Sequence, residues 1–129
     1  MSLVENIKES EGFDGMAYED HLGYPTIGYG TKLPLRKEEA ELLLEHRLDG
    51  FKKELHVKLP HLDIPPEAWD VVYEMAYQLG VPRFMKFQKM ITALVGNNYK
   101  LAADEGMDSL WAKQTPNRAK KLMDRLRSL

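Results

Sequence analysis

Three oxygen-bearing side chains lie close together near the start of the chain: Glu11, Asp20 nine residues later, and Thr26 six further on. Glycoside hydrolysis asks for such a set. One carboxylic acid gives a proton to the leaving oxygen, and one carboxylate activates water or stabilises positive charge at the sugar carbon. With 20 acidic residues among 129, two neighbouring acids carry little weight by themselves, and solvated surface carboxylates are the ordinary reading. Their placement is more informative. Gly12 follows Glu11, Asp20 to Gly23 reads as a turn, and Thr26 enters a segment punctuated by Gly28 and Gly30.

The elements that must carry these groups follow from spacing. Ser2 caps a first helix in which Leu3 and Ile7 fall four apart, with Val4 and Phe13 near the same side, and Gly12 ends it. Met16, Tyr18, Thr26, Ile27 and Tyr29 favour strands, predicting a small antiparallel sheet over about 13–34. Ala40, Leu43, Leu44, Leu48, Phe51 and Leu55 step by three and four, predicting one long amphipathic helix over about 36–55, with Gly50 inside it. Pro66 opens a helix that Gly80 ends, with Trp69, Val72, Met75, Ala76 and Leu79 as its buried stripe. Two helical stretches follow, about Phe84 to Val95 and Tyr99 to Leu110. Thr115 and Pro116 then form an N-cap and first-turn pair for a last helix with Ala119, Leu122, Met123, Leu126 and Leu129 on its apolar side. Strands followed by a run of helices imply an α+β fold with a segregated sheet. The expectation is a single domain over 1–129: a sheet lobe, the long helix, and a helical lobe over about 64–129 that includes the N-terminal helix.

Composition bounds the chemistry. The chain has no cysteine, which excludes disulfides and thiolate zinc sites. His21, His46, His56 and His61 are scattered without metal-ligand spacing, so neither a metal nor a cofactor is expected. No apolar run approaches membrane-spanning length, and Met1 to Glu11 holds three glutamates and no signal-peptide pattern. The net charge of −2 hides an asymmetry. Residues 1–80 carry 8 Lys/Arg against 16 Asp/Glu, and residues 81–129 carry 10 against 4. A basic second half suits an anionic polymer such as cell-wall glycopeptide, although solvated helix faces explain it equally well. Nucleic acid is not expected, because the basic residues lack aromatic interleaving and helix-turn-helix spacing.

The segment Glu11-Gly12, Tyr18, Asp20, Gly23-Tyr24, Thr26-Ile27-Gly28 and Gly30 resembles the active-site signature of the T-even-phage lysozyme family, the muramidase endolysins. A remote stretch, Trp111 with Gln114-Thr115-Pro116-Asn117-Arg118-Ala119, is similar to that family's carboxy-terminal motif. Gln78-Leu79-Gly80 with Phe87 resembles the segment between. The resemblance implies a lysozyme-like fold with Glu11 as general acid, Asp20 as the carboxylate on the sugar's other face, and Thr26 as a hydroxyl that places the attacking water. It also implies inversion at the anomeric carbon, with carboxyls about 6.5 to 9.5 Å apart. Arg118 resembles the arginine that reaches Glu11, in a positioning role. Gln78 and Trp111 correspond to cleft-side positions, with Tyr24 and Tyr77 candidates along the sugar path, although large aromatics at helical spacing are more often core.

The implied activity is cleavage of the β-1,4 bond between N-acetylmuramic acid and N-acetylglucosamine in bacterial peptidoglycan. A monomer without stable membrane association would stay in the host cytoplasm and be released to the periplasm and wall at lysis, through holes made by a separate pore protein. Two other settings are open: a wall-penetrating lysozyme of a phage tail, and a catalytically silent glycan-binding module on the same fold. The chain departs from the family where Thr31 replaces the usual histidine after Gly30. The region from Thr31 to Arg36 is also abbreviated, which predicts a smaller lip on the sheet lobe.

Overall fold

A computed structural model describes all 129 residues and has an α+β architecture of three short strands and eight helices. Two compact units divide the chain, Met1–Leu43 and Leu44–Leu129.

The first unit opens with α1 (Leu3–Glu11). Ser2 accepts from the Glu5 backbone N–H while the Glu5 carboxylate accepts from the Ser2 N–H, a reciprocal cap that satisfies two otherwise orphaned donors. Gly12 ends the helix at φ +70°, ψ 171°, a conformation that glycine alone adopts readily. Next come β1 (Asp14–Glu19), β2 (Pro25–Gly28) and β3 (Thr31–Lys32), antiparallel in the order β1-β2-β3. Tyr18 pairs with Thr26, and Thr26 pairs with Lys32. Partners across an antiparallel ladder project to the same face, so these three form one row across the sheet. The ladder is irregular between Asp14 and Tyr18. The expectation grouped the N-terminal helix with the helical lobe, but α1 falls in the first unit together with the sheet.

Helix α2 (Lys37–Lys58) starts in the first unit, runs unbroken through Gly50 and ends in the second. Its expected apolar stripe is only partly realised. Leu55 alone is buried, and Leu43 and Leu44 are exposed. A helix that joins two compact bodies packs against a core at its end rather than along its length.

The second unit holds the main core. α3 (Pro66–Leu79) buries Ala68, Trp69, Val71, Val72, Met75 and Ala76, matching most of the predicted stripe. α8 (Pro116–Arg127) buries Ala119, Leu122, Met123 and Leu126. Between them lie α4 (Val81–Phe84), α5 (Gln88–Val95), α6 (Tyr99–Met107) and α7 (Leu110–Gln114). The sequence predicts two helices here, and the chain forms four. A glycine and a proline at positions 80 and 82 restart the backbone as the short α4, which closes before Gln88. Ser109 separates α6 from α7 by donating to the Gly106 carbonyl and accepting from the Ala112 N–H. Gly106 lets α6 approach α8 closely, since a Cβ there would collide with the Met123 sulfur. Thr115 does not cap α8 with its side chain as expected. Its hydroxyl donates to the Trp111 carbonyl and closes α7 instead, leaving Pro116 to start α8 with its fixed φ. At the end of α2, His56 stacks on Trp69 at 4.2 Å between ring centroids and lies 2.6 Å from the Tyr73 hydroxyl, so this histidine is a packing residue. No helix is long and apolar enough to cross a membrane.

Candidate active site

Glu11 is the last residue of α1, and the Gly12 turn delivers its side chain to the sheet. Its carboxyl lies against Gly30: a Cβ built there would fall 2.5 Å from Oε2 and 2.6 Å from Cδ. Gly30 has φ +76°, so its backbone favours glycine, and a Cβ there would displace the flexible Glu11 side chain.

Asp20 follows β1 and organises the turn into β2. Its Oδ1 accepts from the backbone N–H groups of Leu22 at 2.9 Å and Tyr24 at 2.8 Å. Its own N–H donates to the Tyr24 carbonyl, and its carbonyl accepts from Gly23. Aspartate is favoured at such a turn because a short carboxylate reaches its own backbone two residues on. The remaining oxygen, Oδ2, accepts from the Lys32 ammonium at 2.6 Å. The Lys32 bond, assisted by the two backbone donors, holds the Asp20 carboxyl well below the usual range, at about 2. Asp20 is therefore a fixed anion across the ordinary pH range.

Thr26 is fully buried, and its hydroxyl donates to the Tyr24 carbonyl at 2.9 Å. Its proton being committed, Oγ1 faces other groups as an acceptor. The Lys32 ammonium stands 3.4 Å away. The pKa of Lys32 is raised by its bond to Asp20, with the charges of Asp20, Glu11 and Tyr18 adding to the effect. One cation thus answers both predicted catalytic acids. Nothing in the linear pattern around Lys32 marks it. Only the β2–β3 register, which sets Lys32 opposite Thr26, would have pointed to it.

Tyr24 contributes its backbone to this turn, while its ring is 60% exposed. The other four predicted positions stand in the second unit. The Trp111 indole N–H donates to Gln78 Oε1 at 3.0 Å, and its ring, only 4% exposed, meets Phe87 edge to face. Trp111 is thus a core residue that fixes the Gln78 amide, as large aromatics at helical spacing usually are. Tyr77 is partly exposed and packs edge-on against Phe51. It lines a cavity of about 470 Å³ together with Leu48, Tyr73, Glu74 and Arg118. In that cavity Arg118 Nε lies 3.5 Å from Glu74 Oε2, and Arg125 meets the other Glu74 oxygen at 3.4 Å. A second cavity, about 670 Å³, is lined by Arg83, Phe87, Glu105, Trp111 and Gln114.

Residues 8–128 match the model of the phage lysozyme family. The chain belongs to the phage lysozyme family. Among curated relatives, this lysozyme-family chain is 30% identical, over 95% of its length, to the pre-baseplate central spike protein Gp5 of Enterobacteria phage T4, of which it spans 27%. It is 24% identical, again over 95% of its length, to probable T4-type lysozyme 1 of Dictyostelium discoideum, of which it spans 91%. The family match runs through all the predicted site residues, from Glu11 to Arg118. A lysozyme-like enzyme with an acid at a helix end and an ionised carboxylate in the next turn has the parts of a glycosidase.

Proposed function

We propose that this protein is a muramidase that hydrolyses the β-1,4 bond between N-acetylmuramic acid and N-acetylglucosamine in bacterial peptidoglycan, with inversion. The protonated Glu11 carboxyl gives its proton to the glycosidic oxygen as the bond from that oxygen to the anomeric carbon breaks. A water oxygen, placed by Asp20 and Thr26, forms the new bond to that carbon from the opposite face, and its proton leaves by way of the Asp20 carboxylate. The carrying observation is the row of groups on the small sheet: Glu11 against Gly30, and Asp20 held ionised beside Thr26 by Lys32.

Clearing of chloroform-treated Gram-negative cells, or of purified peptidoglycan, tests this reading. The wild-type chain is expected to lyse both substrates. Glu11→Gln is expected to be folded and inactive, and an active Glu11→Gln protein would refute the acid assignment. NMR of the first products is expected to show the inverted anomer, and retention would contradict the proposed water attack.

A second reading concerns the setting, not the chemistry. The similarity to the central spike protein is compatible with a wall-penetrating lysozyme carried by a phage tail, the alternative to a free enzyme of host lysis. Finding the chain in purified virus particles by mass spectrometry would support the tail setting, and its absence there would support host lysis.

A further inference from the structure

Lys32 lies at the centre of the site, although neither the family resemblance nor the spacing of acids assigns it a role. It stands on β3 directly across from Thr26, so the strand register aims its side chain along the row that holds Tyr18 and Thr26. The Asp20 carboxylate is otherwise tied only on one side. Leu22 and Tyr24 occupy Oδ1, which leaves Oδ2 free to turn toward solvent or to collect a proton. The Lys32 ammonium removes both freedoms. It binds Oδ2 at 2.6 Å and stands 3.4 Å from Thr26 Oγ1, spanning the two groups between which an attacking water must be held. The Asp20 side chain is only 11% exposed beneath it.

We propose that Lys32 is a positioning residue of the active site: its ammonium clamps Oδ2 of Asp20 beside the Thr26 hydroxyl and keeps the carboxylate ionised and in one orientation. This inference rests on the muramidase reading above. The charged and titratable groups facing the pair are Glu11 from α1, Tyr18 from β1 and Asp20 from the turn. Of these, Asp20 alone makes the direct bond. The two backbone donors hold Oδ1, and the charge-assisted bond from Lys32 adds the restraint on Oδ2.

The clamp sets the acid edge of the reaction. At pH 3 a carboxyl with a pKa of about 2 is about nine-tenths ionised, whereas one at the ordinary 3.8 is only about one-seventh ionised. Removing the ammonium takes away the largest of the effects that lower the Asp20 carboxyl, so less of the working carboxylate remains at that pH, by at most about sevenfold because the Leu22 and Tyr24 donors stay in place. At neutral pH the ionised fraction of Asp20 is unchanged, so any loss there does not come from protonation of Asp20.

The test compares wild type with Lys32→Met and Lys32→Arg. Two readouts are taken: kcat and KM on soluble glycan strands from pH 2.5 to 7, and the Asp20 side-chain carboxyl followed by 13C NMR through the same range. Circular dichroism at each pH restricts the comparison to folded protein. The expected result is a wild-type Asp20 that titrates near 2, and a Lys32→Met protein whose Asp20 titration and acid limb both move up toward 3.8. Its loss should fall on kcat rather than KM, and Lys32→Arg should keep the wild-type acid edge. Identical titrations and acid limbs in wild type and Lys32→Met would overturn the proposal. So would a wild-type Asp20 that titrates at 3.8, a measurement that stands even if Lys32→Met does not fold. A wild-type protein inactive on glycan strands, with Asp20 still shifted by Lys32, would overturn the muramidase reading and leave the clamp intact.

Discussion

The carboxyl of Glu11 rests on the Cα of Gly30, so closely that a Cβ at residue 30 would sit 2.5 Å from Oε2. Gly28, two residues earlier, has nearly the same left-handed φ, +71° against +76°, with nothing within 4 Å of its would-be Cβ. The two glycines separate backbone strain from displacement of the acid. Gly28→Ala and Gly30→Ala should each lose roughly 1 to 2 kcal/mol of stability from the left-handed backbone. Only Gly30→Ala should also lose most of the lytic rate, because the flexible Glu11 side chain yields and carries its carboxyl away. Thermal melts together with a turbidity assay check the pair, and equal activities would contradict the stated Glu11 placement.

Asp20→Asn keeps the shape of the turn residue but removes the charge that meets both Lys32 and the developing positive charge on the sugar. The expected loss of kcat is about 10²- to 10⁴-fold, the range ordinary for a positioned acid or base. A rate within a few-fold of wild type, measured on folded protein, would remove Asp20 from the mechanism.

Stability should carry an acid signature of the same residue. The Asp20 carboxyl falls from its ordinary 3.8 to about 2 in the folded chain, so between these values the unfolded chain binds more protons. Its contribution is fully present above the unfolded value, is lost as pH falls through that window, and is gone below about 2. Asp124 and Glu39 are also lowered, the first by Lys120 and the second by the Arg36 backbone N–H and guanidinium, so wild type has further slopes in the acid range. The difference between wild type and Asp20→Asn in urea melts isolates the Asp20 part. That difference should be flat above about pH 5 and should change only below it.

Trp111 and Gln78 yield a prediction about the second unit. The indole is almost wholly buried, so Trp111→Ala should cost about 3 to 5 kcal/mol in denaturant melts. Trp111→Phe retains most of the packing and should cost about 1 kcal/mol, the worth of the lost hydrogen bond to a half-exposed amide.

Much of this protein was determined by sequence alone, because the determinants are local. Ser2 and Gly12 bracket α1 through neighbouring backbone groups, Asp20 to Gly23 forms its turn within five residues, and Pro66 and Gly80 bound α3. The three candidate groups Glu11, Asp20 and Thr26 were legible for the same reason, since each sits at an element end written in glycine and proline. Tertiary structure decided what depends on pairing across the chain. Thr115 binds backward to Trp111 rather than forward, Trp111 reaches 33 residues back to Gln78, and Arg118 meets Glu74. Lys32 is the sharpest case: twelve residues from Asp20, it becomes that residue's counter-ion only through the register of β2 on β3. A strand's periodicity tells which residues share a face, but hydrogen bonding between strands chooses which of them meet.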